Sequence, residues 1–205
     1  MSSYPIRDPK SDHLLTPQNA ALLIIDYQPI QVNSINSTLR KTMAENMTTV
    51  AKLVMSFKMP VVLSTINVNT GMNKETISIL KDVLPGIPSY DRTTVNAWED
   101  KEFNEAVKNT GRQKLIIAAL WSEVCMAFPT LDALKDGYDV YPVVDAIGGT
   151  SVIAHEMALR RVEQAGAKLI STSQLACELQ RDWARHETVD YMVKALISTG
   201  AFFDV

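Results

Sequence analysis

Residues 115–146 read LIIAALWSEVCMAFPTLDALKDGYDVYPVVDA, and three patterns succeed one another within them. Leu115 to Leu120 is a short apolar run without a polar face, which predicts a strand buried on both sides. Val124 to Lys135 carries apolar residues at helical spacing and stops at Gly137, the usual end of a helix. Tyr138 to Val144 is extended again, although Pro142 argues against a central position in a sheet. Strand, helix and strand in such quick order predict parallel pairing through a right-handed crossover.

The same alternation continues outward. Upstream, Ala21 to Asp26 predicts another doubly buried strand, and Leu39, Met43, Met47, Val50, Leu53, Val54 and Phe57 recur every three or four residues until Pro60 ends the helix. Val61 to Ile66 is the next strand. Helices are expected over Lys74 to Leu84, before Pro85-Gly86, and over Glu99 to Asn109, before Gly111. Downstream, Ser151 to Gln164 is helical, Lys168 to Ser171 is a brief last strand, and helical material runs through Trp183 and Lys194. The sum is an α/β fold, a three-layer α/β/α sandwich around a central, mostly parallel sheet.

Composition narrows the class. The 205 residues carry 20 Lys and Arg against 23 Asp and Glu, a net charge of −3, with 46% hydrophobic and 21% charged residues. Those are the proportions of an ordinary globular domain, and disordered and fibrous classes fall away. We expect a polar N-terminal arm over residues 1–17 and one domain over 18–205, closed by a helical tail. Without a basic cluster there is no footprint for nucleic acid or an anionic membrane, and no apolar run approaches the length of a membrane span. A start without the order of a secretory signal, and two cysteines in all, fit the cytoplasm. The apolar end Ala201-Phe202-Phe203 and the polar arm both read as interface material, which predicts a homo-oligomer; the competing expectation is that Phe202 and Phe203 fold back on their own domain.

In an open parallel sheet the chemistry gathers beyond the carboxyl ends of the strands. Asp26 ends the first strand, a place also common for a turn or capping aspartate. Cys125 falls in the first turn of the helix that follows Leu120, where the helix dipole and free N–H groups favour thiolate and can hold an oxyanion. A free cysteine is otherwise a small buried hydrophobe, the reading that suits Cys177 inside the helical stretch Gln174 to Gln180. Arg92, in the loop Ser89-Tyr90-Asp91-Arg92, is a candidate cation for the thiolate, although a loop arginine is commonly a surface charge. His13, His155 and His186 form no evident Cys-His dyad. Gln28, Ile30, Asn67, Asn96 and Trp98 flank the strand ends and are candidates to line a pocket for a small-molecule substrate.

The strand ending in Asp26-Tyr27-Gln28, the block 115–146 and the overall alternation resemble the isochorismatase-like cysteine hydrolases, from about Ala20 to Trp183. Asn96-Ala97-Trp98-Glu99-Asp100 and Cys177-Glu178-Leu179-Gln180-Arg181-Asp182-Trp183 resemble the YcaC-like subgroup of bacterial hydrolases. The resemblance implies a Rossmann-like sandwich and a catalytic triad at Asp26, Arg92 and Cys125, with arginine where the commoner pattern has lysine. It implies a cis peptide bond at Leu120–Trp121 and an oxyanion hole made by the backbone N–H groups of Trp121 and Cys125. It also implies a multi-subunit ring, with an octamer as one form. Metal-using relatives carry an Asp-x-His-type cluster after their second strand; Asn67 to Gly71 has no histidine or carboxylate there, so no metal and no other cofactor is expected. The reaction so implied is hydrolysis of a small amide or related C–N bond through a thioester. Vinyl-ether hydrolysis of an isochorismate-like substrate and a catalytically silent binding module are the alternatives.

Overall fold

The computed structural model describes residues 5–202. Five strands, β1 (Ala20–Ile25), β2 (Val61–Ile66), β3 (Ser89–Arg92), β4 (Lys114–Ala119) and β5 (Asp139–Pro142), form one sheet in the order β3-β2-β1-β4-β5. Every pair is parallel. Helices α1 (Pro29–Asn33), α2 (Arg40–Ser56), α3 (Ser78–Lys81), α4 (Lys101–Asn109), α5 (Ala127–Lys135), α6 (Val152–Gln164), α7 (Thr172–Gln180) and α8 (Val189–Ser198) flank it, so the expected sandwich is present. All six residues of β1 and of β4 are buried, as apolar runs without a polar face require. On α2 the buried side chains include Met43, Met47, Val50, Leu53 and Val54, the stripe read from the spacing. Leu39 belongs to that spacing but stands 75% exposed just ahead of the helix.

Several boundaries differ from expectation, each for a local reason. Ser89–Arg92 is a strand rather than a loop, short and at the sheet edge, where polar residues are tolerated. Helix Lys74 to Leu84 shrinks to the four residues of α3 because the chain ahead is tied elsewhere: Gln28 Nε2 donates to the Lys74 carbonyl (2.6 Å) and the Ile77 N–H donates to the Tyr27 carbonyl (2.8 Å). Glu99 lies in a 3-10 turn, Ala97–Glu99, and α4 begins after Asp100, whose carboxylate accepts the Phe103 N–H (2.9 Å). The last strand reduces to a single bridge between Val143 and Ile170. Pro142 is accommodated because β5 is an edge strand.

Polar composition sets the arm over residues 1–17 apart, yet its end joins the domain: Leu15 is fully buried and its N–H donates to Glu178 Oε2 (2.8 Å). Phe202 leans towards Trp183, ring centroids 6.1 Å apart, and both remain largely exposed. Residues 1–4 of the arm, and Phe203 of the apolar end, lie outside the described residues. Among the described residues no helix is long and apolar enough to cross a membrane.

The chain leaves β1 towards β2 and β3, then returns to lay β4 on the other side of β1. The connections that leave β1 and β4 therefore part company at the carboxyl ends of two adjacent strands, a topological switch point where a crevice opens. Pairing of Ile25 with both Ser64 and Ala119 sets the ends of β1, β2 and β4 level with that crevice.

Candidate active site

Asp26 follows β1 in the left-handed region, φ 62°, a conformation that aspartate and asparagine tolerate better than other L-residues. Its N–H donates to the Ser64 carbonyl (3.0 Å), and its side chain is fully buried. Gln28 then acts as a splint. Its Oε1 accepts the Ile66 N–H (2.9 Å) and its Nε2 donates to the carbonyls of Ile66 (3.0 Å) and Lys74. The segment after β1 is thereby fixed to the end of β2.

Arg92 ends β3 and reaches across the end of β2 as a fork. Its two terminal nitrogens donate to the two oxygens of Asp26, each at 2.7 Å. They also donate to Ser64 Oγ (3.0 Å) and to the carbonyls of Thr65 (3.1 Å) and Val95 (3.3 Å). Such a bidentate, charge-assisted pair is among the strong hydrogen-bonded contacts. Burial works against the guanidinium charge, but the bonds and attraction to Asp26 outweigh it and raise its proton affinity. The cation is permanent.

Cys125 arrives from the other side of β1. After β4 the Leu120–Trp121 peptide is cis, and a single π-helical turn, Ser122–Met126, leads into α5. Surrounding contacts fix this entry. The Ser122 N–H donates to the Gly148 carbonyl (2.9 Å), the Trp121 indole N–H to Ser34 Oγ (2.6 Å), and Ser122 Oγ shares a hydrogen bond with His155 Nδ1 (2.7 Å). Glu123 Oε1 accepts from the N–H and hydroxyl of Thr150. A side chain on Gly148 would come within 2.7 Å of Ile35 Cγ2, and one on Gly149 within 2.6 Å of Glu123 Oε2.

Asp26, Arg92 and the Trp121 backbone N–H are all close enough to the Cys125 sulfur to act on its proton affinity. The three side chains singled out in the sequence thus meet. Their charge state differs from expectation, however. Burial first, and then the Asp26 charge and hydrogen bond, push the thiol far above its ordinary value, and the opposing pull of Arg92 and the Trp121 N–H is the weaker. At neutral pH the resting sulfur is a thiol, not the thiolate that helix position alone suggested, because desolvation and a neighbouring carboxylate overrule the dipole.

A cleft of about 280 Å³ opens over Cys125. Ile30 and Asn67 line it as expected. Gln28, Asn96 and Trp98 do not: Gln28 is the splint above, Asn96 caps the 3-10 turn through the Trp98 N–H (3.0 Å) and donates to Asp132 (2.7 Å), and the Trp98 indole donates to Asp136 (2.9 Å). Gln31, Ile66, Met72, Asn73, Val95 and Val124 contribute walls that the sequence reading did not single out, and Trp121, expected at the site for its backbone N–H, also lines the cleft. Ser64, which braces Arg92, also went unnoticed; a serine interrupting the apolar run of β2 was the available signal. Among the described residues, no group of three or more His, Cys, Asp or Glu side chains is placed to hold a metal ion.

Comparison with known proteins places this geometry in a family. The isochorismatase domain matches residues 20–174. The probable hydrolase YcaC of Escherichia coli is 37% identical over 170 residues, 82% of this chain and 81% of that protein. The crystal structure of the E. coli YcaC gene product, described as an octameric hydrolase of unknown specificity, superposes with a TM-score of 0.85 at 34% identity, covering 93% of this chain and 92% of that one. YcaC from Pseudomonas aeruginosa, solved with hexane-2,5-diol and covalent acrylamide, gives 0.85 at 31% identity over 96% and 94% of the two chains. With a family match running from β1 into α7 and these relatives over most of its length, the chain belongs to the isochorismatase family of hydrolases, as a YcaC-like member.

Proposed function

We propose that the chain is a cysteine hydrolase that cleaves a small amide or related C–N bond through a thioester. The observation that carries this reading is the contact of the Cys125 thiol with a buried carboxylate, itself clamped by a permanent cation. Asp26 takes the thiol proton as sulfur attacks the carbonyl carbon, so the thiolate exists only during the reaction. The tetrahedral oxyanion is held by the backbone N–H groups of Trp121 and Cys125, each such donor lowering the barrier by about 3 kcal/mol. The C–N bond breaks as Asp26 returns the proton to the leaving amine. Water then gives a proton to Asp26 and attacks the thioester carbonyl, and the C–S bond breaks as Cys125 recovers its proton. Arg92 cannot exchange its proton. It orients Asp26 through the two-bond fork and sets a fixed positive charge beside it.

Covalent acrylamide in the P. aeruginosa relative supports an accessible nucleophile in this fold, since acrylamide is an electrophile that thiols capture. The octameric E. coli relative supports a homo-oligomer. Two unpaired cysteines, one of them exposed, fit a reducing cytoplasm.

The test is intact-mass analysis during turnover of a panel of small amides, with the adduct mapped by peptide. An acyl group on Cys125, and turnover abolished by Cys125→Ala and Asp26→Asn, is the expected result. Full activity of Cys125→Ala overturns the thioester and favours a reaction without a thiol nucleophile, such as vinyl-ether hydrolysis. No turnover of any amide, with Cys125 unmodified throughout, favours a silent binding module.

A further inference from the structure

We infer that the substrate of this site is an uncharged molecule with an apolar portion, selected by a cleft that offers no counter-charge. The inference rests on Cys125 being the nucleophile. Of the side chains lining the cleft, Ile30, Ile66, Met72, Val95 and Val124 are aliphatic or thioether, the polar ones are the amides of Gln31, Asn67 and Asn73, and none is ionisable apart from the Cys125 thiol itself. Glu123 and Lys74 are the charges adjoining the lining residues along the chain. Glu123 is bonded to Thr150, and Lys74 is not among the lining residues. Arg92, a cation that interacts with Cys125, has both terminal nitrogens on Asp26, so an anionic substrate meets a neutralised pair rather than a free guanidinium.

An anion entering such a site loses hydration without gaining a partner. A dicarboxylate of the isochorismate kind is disfavoured twice over. A neutral amide loses far less and finds donors: Asn73 Nδ2 donates to Gln31 Oε1 (3.1 Å), an arrangement that leaves the Gln31 amide N–H groups available to an acceptor on the substrate. The aliphatic walls then reward an apolar body. Selection in this site is exclusion of charge as much as attraction of shape.

Two near-isosteric reagents of opposite charge class test this. The protein is treated with limiting iodoacetamide or iodoacetate beside 2-mercaptoethanol in the same tube, and labelling of Cys125 is read by peptide mass spectrometry. Normalised to the small thiol, Cys125 is expected to prefer the neutral reagent by about tenfold or more, as an uncompensated charge in a cleft demands. Gln31→Lys, which supplies a cation, is expected to erase most of that preference, and Gln31→Leu to keep it. A native preference near unity overturns the inference while leaving the nucleophile in place. A preference unmoved by Gln31→Lys overturns the role given to the cleft. Absence of Cys125 labelling by either reagent, with the small thiol fully modified, overturns the nucleophile and the inference together.

Discussion

Asp26 and Arg92 have no exposed side-chain surface, and a buried charge is tolerable only while its partner stays. Arg92→Ala is therefore expected to cost about 3–5 kcal/mol of stability in urea unfolding. Arg92→Lys keeps the charge but cannot make both carboxylate bonds together with those to Ser64, Thr65 and Val95; we expect it to fold and to lose turnover by roughly ten- to a hundredfold, as misplacement of a positioned group does. A turnover matching the native protein removes the need for the fork. Cys125 supplies a test in pH. Its folded thiol holds a proton more tightly than an ordinary thiol of value 9.0, so its contribution to stability is complete below about pH 9 and is lost as pH climbs from there towards the folded value. The unfolding free energy of the native protein is expected to fall with pH above 9 by up to about 1.4 kcal/mol per unit more than that of Cys125→Ser. Parallel curves for the two proteins contradict the raised thiol.

The loop after β5 clamps the turn that carries Cys125. Gly148 bridges Leu120 and accepts the Ser122 N–H, while the Gly149 carbonyl accepts from the N–H groups of Asn36 and Ser37. Gly148→Ala drives a methyl to 2.7 Å from branched Ile35, an overpacking expected to cost about 1–3 kcal/mol and to lower turnover by displacing the turn that carries Cys125; unchanged melting and unchanged rates would falsify this. Elements differ in how openly the sequence declares them, and the difference is physical. β1 and β4 are read easily because doubly buried strands are continuous apolar runs, and the segments after them carry Asp26 and Cys125, while β2 is read from Val61-Val62-Leu63 despite Ser64 and Thr65. β3 is hidden because an edge strand of Ser, Tyr, Asp and Arg owes its pairing to β2 rather than to its own composition. α3 is hidden because the splint from Gln28 competes for the residues before it. The cleft walls come from loops after several strands, whose convergence is a property of topology. Protonation of Cys125 depends on burial and on a carboxylate 99 positions away, which no local pattern records.

At the scale of the described residues, exposed apolar side chains gather at the cleft, where Ile30, Met72 and Val95 face the substrate's side, and away from it in two further places. One lies on α6, where Val152, Ile153 and Met157 are 54%, 63% and 42% exposed; the other lies at the end of the chain, where Trp183, Tyr191, Ile197 and Phe202 are 41–61% exposed. Scattered apolar residues need no explanation, but grouped ones favour contact between copies. The number of patches bears on the order of assembly. A single self-complementary patch closes a dimer, whereas two separate interfaces combine into higher closed symmetry. We therefore expect light scattering at micromolar concentration to give a mass of more than two protomers, Ile153→Glu or Trp183→Glu each to leave a smaller assembly, and the double variant to be monomeric. Both substitutions replace an exposed side chain, so the fold is expected to survive them, as circular dichroism will check. A native monomer at that concentration leaves the two patches without the role assigned to them. A double variant that stays large moves the contact to another surface.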